Sequence, residues 1–177
     1  MPKAKYTSTK GLYQETGTGI DFASDTTGLN ARRTASTLST VGTVAAPTKV
    51  LTTAESGGIF FCDFSTVSIV LQLPAPSAGL NYKIVASTAS DNEATKDLLV
   101  HTGVSTVDMG GNIMLAGAIL EITAATSAIC IQGGTAAATV GDYLYFECDG
   151  TDWYVSGSVT TAAAAVINNA FDGITAA

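Results

Sequence analysis

From Lys49 onward, apolar and polar residues alternate in short runs with the two-residue period of β-strands. KVLTTAESGGIFFCDF reads as a short strand, a turn at Glu55-Ser56-Gly57-Gly58 and a strong strand toward Phe64. SIVLQLPAP follows, with Ile69, Leu71 and Leu73 on one side and Val70 and Gln72 on the other, ended by Pro74 and Pro76. Gly79-Leu80-Asn81 turns into NYKIVAS, where Tyr82, Ile84 and Ala86 alternate with Lys83 and Val85. The polar stretch ASDNEATKD reads as a surface loop. DLLVHT, ILEITA and AICIQ are further strands, and Gly110-Gly111-Asn112 is a turn signal. GDYLYFECDGTDWYVSG is the clearest hairpin: Tyr143, Tyr145 and Glu147 alternate with Leu144, Phe146 and Cys148 before a turn at Asp149-Gly150-Thr151-Asp152. No long amphipathic helix and no internal repeat of fixed period stand out. The pattern predicts an all-β fold, a β-sandwich or barrel of about eight or nine short antiparallel strands.

Residues 1–48 differ. They are rich in Thr, Ser, Gly and Ala, and their apolar positions fit no stripe. Such a segment builds no core alone and is expected to be an extended N-terminal arm that orders on a partner. The expected organisation is therefore an arm at 1–48, a β-domain at 49–158 and a C-terminal tail at 159–177. The tail's Ala run fits a short helix, while its Thr and Val favour extended structure.

Composition sharpens this picture. Hydrophobic residues make up 46% of the 177 residues and charged ones only 13%, against about 25% charged in an average domain. A surface so poor in charge fits a subunit buried against neighbours, or an extracellular β-domain. The net charge of -7 is unevenly spread. Residues 1–49 hold six basic and three acidic residues; residues 50–177 hold two basic and twelve acidic ones. A basic head on an acidic body suggests docking onto an acidic surface and disfavours bulk nucleic-acid binding. The expected contact residues of the arm are Lys3, Lys5, Tyr6, Lys10, Leu12, Tyr13, Phe22, Arg32 and Arg33. The start, MPKAKYTSTKG, lacks the apolar core of a signal peptide. No apolar run reaches the roughly 18 residues of a membrane span.

Little in the chain points to chemistry. His101, the only histidine, lies in the apolar run LLVHTG with no orienting partner adjacent in sequence. Cys62, Cys130 and Cys148 each lie in strand-like apolar runs and are expected to be buried free thiols, with Asp63, Glu147 and Asp149 disfavouring the thiolate. An odd count cannot pair fully within one chain, and no CxxC motif suggests zinc. Asp142, Asp149 and Asp152 invite a calcium reading, but the EF-hand spacing is missing and a hairpin turn accounts for the last two. Trp153, Tyr154 and Tyr143 could form a glycan platform; cross-strand packing is the simpler role. No catalytic residue, cofactor or metal is expected.

The block LTTAESGGIFFCDFSTVSIVLQLPAPSAGLNYKIVAS resembles a segment common in structural proteins of tailed bacteriophages. The likeness rests on Thr53-Ala54-Glu55-Ser56-Gly57, on Leu73-Pro74 and on Gly79-Leu80. The closing hairpin is also similar, at Gly141-Asp142 and Asp149-Gly150-Thr151-Asp152-Trp153-Tyr154. It covers about residues 50–157; the arm and tail lie outside it. The resemblance implies a virion structural protein without enzymatic activity. A compact domain with a basic arm looks most like a capsid decoration, or cement, protein. That would imply a homotrimer on the capsid exterior, bound to the major capsid protein and assembled in the host cytoplasm, with no nucleic-acid or membrane partner. The alternative within the family is a tail-fibre or adhesion module that binds host-surface glycans.

Overall fold

The computed structural model describes residues 3–7, 11–16, 35–88, 96–104, 106–131, 138–160 and 165–168, with the side chains of 3–7, 11–16, 124–125 and 165–168 left aside. The chain divides into two compact units, Met1–Arg33 and Thr34–Ala177. In the first, β1 (Lys3–Thr7) and β2 (Gly11–Thr16) form an antiparallel two-stranded sheet. Among its described residues, the second is all-β apart from a short 3-10 helix at Thr53–Glu55.

The second unit starts earlier than residue 49. β3 (Ala35–Leu38) pairs with β5 (Gly58–Cys62), and β4 (Lys49–Val50) pairs with β6 (Ile69–Gln72). Leu38 and Val44 pack against buried residues, and the Thr48 hydroxyl accepts the Val70 amide at 3.1 Å. Scattered apolar residues at 35–48 thus belong to the body, and the expected arm boundary at 48 moves to the start of this unit. The C-terminal segment also joins in, since β14 (Ala165–Asn168) pairs with β11 (Ala128–Ile131).

The remaining strands are β7 (Asn81–Ala86), β8 (Leu98–His101), β9 (Met109–Leu115), β10 (Ala118–Thr126), β12 (Tyr143–Cys148) and β13 (Trp153–Val159). They complete a seven-stranded sheet, in the order β10-β9-β13-β12-β7-β5-β3, and a five-stranded sheet, in the order β14-β11-β8-β6-β4. Both are mixed, which corrects the antiparallel expectation. β3, β5 and β7 run parallel, as do β4, β6 and β8, and β9 runs parallel to β13. The reason is the path of the chain. From β3 to β8, successive strands alternate between the sheets, so each return to a sheet arrives in the same direction. Ala35 stacks on Ile59 and Ile59 on Lys83, an equal step along the sequence that no residue repeat announces. From β11 on, strands pair antiparallel to this coil, β11 against β8 and β12 against β7.

Both sheets feed one buried cluster. Phe60, Tyr82, Ile84, Leu144, Phe146, Trp153 and Val155 come from the large sheet; Ile69, Leu71, Leu98, Val100, Ile129 and Ile131 come from the small one. A second, smaller cluster holds Val70, Leu99, Ala128 and Cys130, from the other side of the small sheet, with Val44 against it. The strands β6, β8 and β11 are therefore buried on both faces, apart from Gln72 at the end of β6.

Gly110-Gly111-Asn112 is strand, not turn. Gly111 has φ 138° and passes so close to the backbone of Val155 that no Cβ fits. The turn lies further on, at Ala116 (φ 50°) and Gly117 (φ 83°), between β9 and β10.

Candidate functional site

The arm residues singled out from sequence divide between described and undescribed positions. Lys3, Lys5 and Tyr6 lie on β1, and Leu12 and Tyr13 on β2. The register sets Lys5 opposite Tyr13 and Tyr6 opposite Leu12. Residues 3–7 and 11–16 are thus paired as two antiparallel strands. Lys10, Phe22, Arg32 and Arg33 lie outside the described residues.

Three of the segments that carry the phage resemblance, residues 53–57, 79–80 and 149–154, lie at one end of the large sheet, whereas Gly141-Asp142 lies at the other end of β12 and Leu73-Pro74 follows β6 of the small sheet. At the first corner, the Thr52 amide and hydroxyl both donate to Glu55 Oε2, at 3.0 and 2.9 Å. Lys49 Nζ pairs with Glu55 Oε1 at 2.8 Å. Burial opposes ionisation of Glu55, but the bonds from Lys49 and Thr52 outweigh it and hold the carboxyl below its usual range. Tyr82 Oη donates to the Thr52 carbonyl at 2.8 Å, and the Asn81 amide donates to Ser56 Oγ at 3.1 Å. Gly57, at φ 81°, donates its amide to the Asn81 carbonyl. The Gly79-Leu80 turn is laced to the closing hairpin: the Gly79 amide donates to the Cys148 carbonyl, and the Cys148 amide to the Leu80 carbonyl. These motif residues build corners of the coil.

The closing hairpin bears out its sequence pattern. Leu144, Phe146 and Cys148 are buried, and Trp153 is 0% exposed with its ring 5.8 Å from that of Tyr82. The indole N–H meets no acceptor among the described residues. In the turn, Asp149 Oδ1 accepts the amides of Thr151 and Asp152 at 2.8 and 2.9 Å, and Oδ2 accepts Tyr154 Oη at 3.1 Å. The amides of Asp152 and Thr151 hold this carboxyl below its ordinary value. Asp149 therefore shapes the turn. Asp142, 4% exposed, accepts the amides and hydroxyls of Thr139 and Thr160, and so ties the entry of β12 to the exit of β13. No three His, Cys, Asp or Glu side chains gather into a metal cluster among the described residues.

Beside this turn lies a cleft of about 130 Å³, lined by Asp108, Met109, Gly110, Asp152, Trp153 and Tyr154. Tyr154 is 50% exposed there. Asp108 escaped the sequence reading because its run, VDMGG, was read as leading into a turn. The parallel pairing of β9 with β13 brings it beside Trp153, whose amide donates to the Asp108 carbonyl at 3.0 Å.

His101 and the cysteines sit in packed positions. His101 is buried, its Nδ1 accepts the Gly103 amide at 3.1 Å, and burial lowers its pKa. All three cysteines are free and buried. Burial alone pushes the Cys62 thiol up to about 12. Asp63 contributes nothing to that shift; its Oδ1 accepts from Ser65 and Thr88. For Cys130, burial and then the charge of Asp97 push the thiol up to about 12. Both are poor nucleophiles at neutral pH.

Neither family models, curated proteins nor solved structures give a match to this chain.

Proposed function

We propose that this chain is a virion structural protein of the tailed-bacteriophage type, a capsid decoration protein that attaches through its N-terminal unit. The reading begins with the resemblance at residues 50–157. The observation that carries it furthest is the separation of a hairpin unit from the body, combined with their opposite charge. The unit 1–33 holds five basic and three acidic residues; 34–177 holds three basic and twelve acidic ones. A two-stranded hairpin is marginal in water by itself and gains from adding to another sheet. We read the body as a β-sandwich of the two mixed sheets, its acidic surface projecting outward from the shell. The partner is the major capsid protein, the assembly a homotrimer on the capsid exterior, formed in the host cytoplasm, and many copies stabilise the shell through avidity. The body is a scaffold, not an enzyme.

The adhesion reading keeps one specific observation: half-exposed Tyr154 beside a cleft bounded by Asp108 and Asp152. The burial of Trp153 removes the larger half of the aromatic platform that this reading needs.

Deletion of residues 1–33 tests the proposal, because it spares β3 and everything packed on it. The truncated protein should keep its β-type circular dichroism and lose attachment to purified capsids in a co-sedimentation assay. Attachment at full strength would overturn the role given to the N-terminal unit. Retention on a glycan array, lost in Tyr154→Ser, would favour the adhesin.

A further inference from the structure

The outer face of the seven-stranded sheet has two unlike ends. The registers of successive strands place Phe61, Val85, Tyr143, Ser158, Met114 and Ile119 in one continuous row from β5 to β10. Phe61, Val85 and Tyr143 lie between buried neighbours and so point away from the core, and Ser158, Met114 and Ile119, paired on across the strands, share that face. No member of the row carries a formal charge or faces a carboxylate across the strands; among the described residues, the one cation against it is Lys83, whose Nζ lies 4.5 Å from the centre of the Tyr143 ring. Met114 is 52% and Ile119 77% exposed, as a cross-strand pair. The opposite end of the same face holds Glu147 on β12 and the turn carboxylates Asp149 and Asp152.

The row also ends on an edge strand, where β9 is the only described strand paired with β10 and where a bulge interrupts the far end between Ile122 and Thr126. β10 is the last strand of the sheet and the longest of the described strands, Ala118–Thr126, with Glu121 its only charge. Exposed edges of this length are normally blunted by Lys, Pro or a covering segment, because their free amides and carbonyls invite pairing.

We propose that this neutral end, from Phe61 to Ile119, is the surface through which copies of this chain join. The proposal deepens the assembly part of the function given above and rests on it for the expectation of like subunits. Charge selects the occupant. Residues 50–177 carry ten more acidic than basic residues, so two copies repel wherever their carboxylates face. They meet without that cost at the charge-free row. A symmetry axis past this end points the acidic turns apart. A basic partner would instead be drawn to the acidic end. Size is comparable: five inter-strand steps of about 4.8 Å make a row about 24 Å long between its outer strands, before side-chain width is added. A standard interface of about 800 Å² per partner is about 28 Å across.

The test is the mass of the full-length protein by sedimentation over a range of concentrations, for wild type, Ile119→Asp and Tyr154→Ser. Wild type should self-associate. Ile119→Asp should weaken this at least about 30-fold, because it replaces an exposed apolar anchor by a charge that the interface would bury unpaired. Tyr154→Ser, on the same face at the acidic end, should leave it unchanged. A monomeric wild type overturns the proposal, as does an Ile119→Asp variant that associates normally. If the variant misfolds, amide exchange in the wild type decides. Protection at residues 112–121 should rise with concentration and that at 149–154 should not; protection confined elsewhere overturns it. A monomer whose Ile119→Asp variant loses capsid binding would assign the face to the capsid instead. A self-associating protein that never binds capsids would sink the decoration role and leave this surface standing.

Discussion

The two sheets solve different problems. The large one has one face in the core and one outside, and its strands alternate accordingly: β7, β12 and β13 bury every second residue over most of their length. The small sheet is covered on both sides, and β8 and β11 are buried at every position. Their sequences, LLVH and AICI, are unbroken apolar runs with one histidine. Strands buried on both faces are expected to read this way, the parallel β8 and the antiparallel β11 alike. The contrast shows that the cover over the small sheet comes from what looks like linker. Val44 packs on its outer cluster, and the Gly42 amide reaches the Ser68 carbonyl. Gly42 lies so close to Thr48 that any Cβ would strike it.

The largest expected effect tests the shared core. Trp153 is among the largest fully buried side chains and stands against Tyr82. Trp153→Ala should cost about 3–5 kcal/mol, a large part of a typical total of about 5–15 kcal/mol. Urea unfolding would measure it. Trp153→Phe should cost clearly less, because it keeps most of the ring and removes an indole N–H that has no acceptor among the described residues. An unchanged midpoint in the Ala variant would mean that this hairpin is not part of the core.

A smaller effect tests the contrast between the outer faces. Leu99 is fully buried on the outer side of the small sheet. Leu99→Ala should cost about 2–3 kcal/mol, toward the low end for such changes because the cover is an irregular segment able to settle. Ser156 stands on the outer side of the large sheet and is exposed. Ser156→Ala should stay within about 0.5 kcal/mol. Equal costs at the two positions would erase the distinction between a covered and an open face.

Much of the fold was legible where sequence neighbours are also spatial neighbours. The β12–β13 hairpin, its Asp149 turn and its inward Trp153 follow from alternation and turn chemistry within one short stretch. The parallel coil was not legible, because each of its pairings joins residues a whole turn apart, with no residue repeat to mark the equal steps in the large sheet and with unequal steps in the small one. Nor could Gly110-Gly111 be told from a turn. Gly111 answers to the backbone of Val155, far away in sequence. The neutral row was hidden for the same reason. Phe61, Tyr143 and Ile119 sit in separate segments, and only the register of the sheet lines them up. The weak sequence signal was present in ILEITA, where Ile119 falls on the polar side of the alternation. By contrast, the charge difference between head and body needed no structure.

The smallest effect concerns pH and the buried small sheet. His101 is the only histidine, so its titration can be isolated. Burial lowers its folded pKa below the usual value of 6.5. The folded protein thus holds a neutral imidazole, while the unfolded chain takes up a proton near its ordinary pKa of about 6.5. Protons then favour the unfolded state. The stability is complete above about pH 6.5 and declines as pH falls below it, with a slope of at most one proton, about 1.4 kcal/mol per pH unit. Glu55, Asp63 and Asp149 also have lowered values, so they too weaken the fold in acid. Their unfolded values lie near 4, however, which leaves the interval from about 6.5 to 5 to the histidine. Between pH 7.5 and 5.5 the wild type should lose urea resistance that a His101→Gln variant, whatever its starting stability, does not lose. The same decline in both proteins would show that the outer side of the small sheet is wet enough to accept the imidazolium, and the contrast between the two sheets would then fail at this edge.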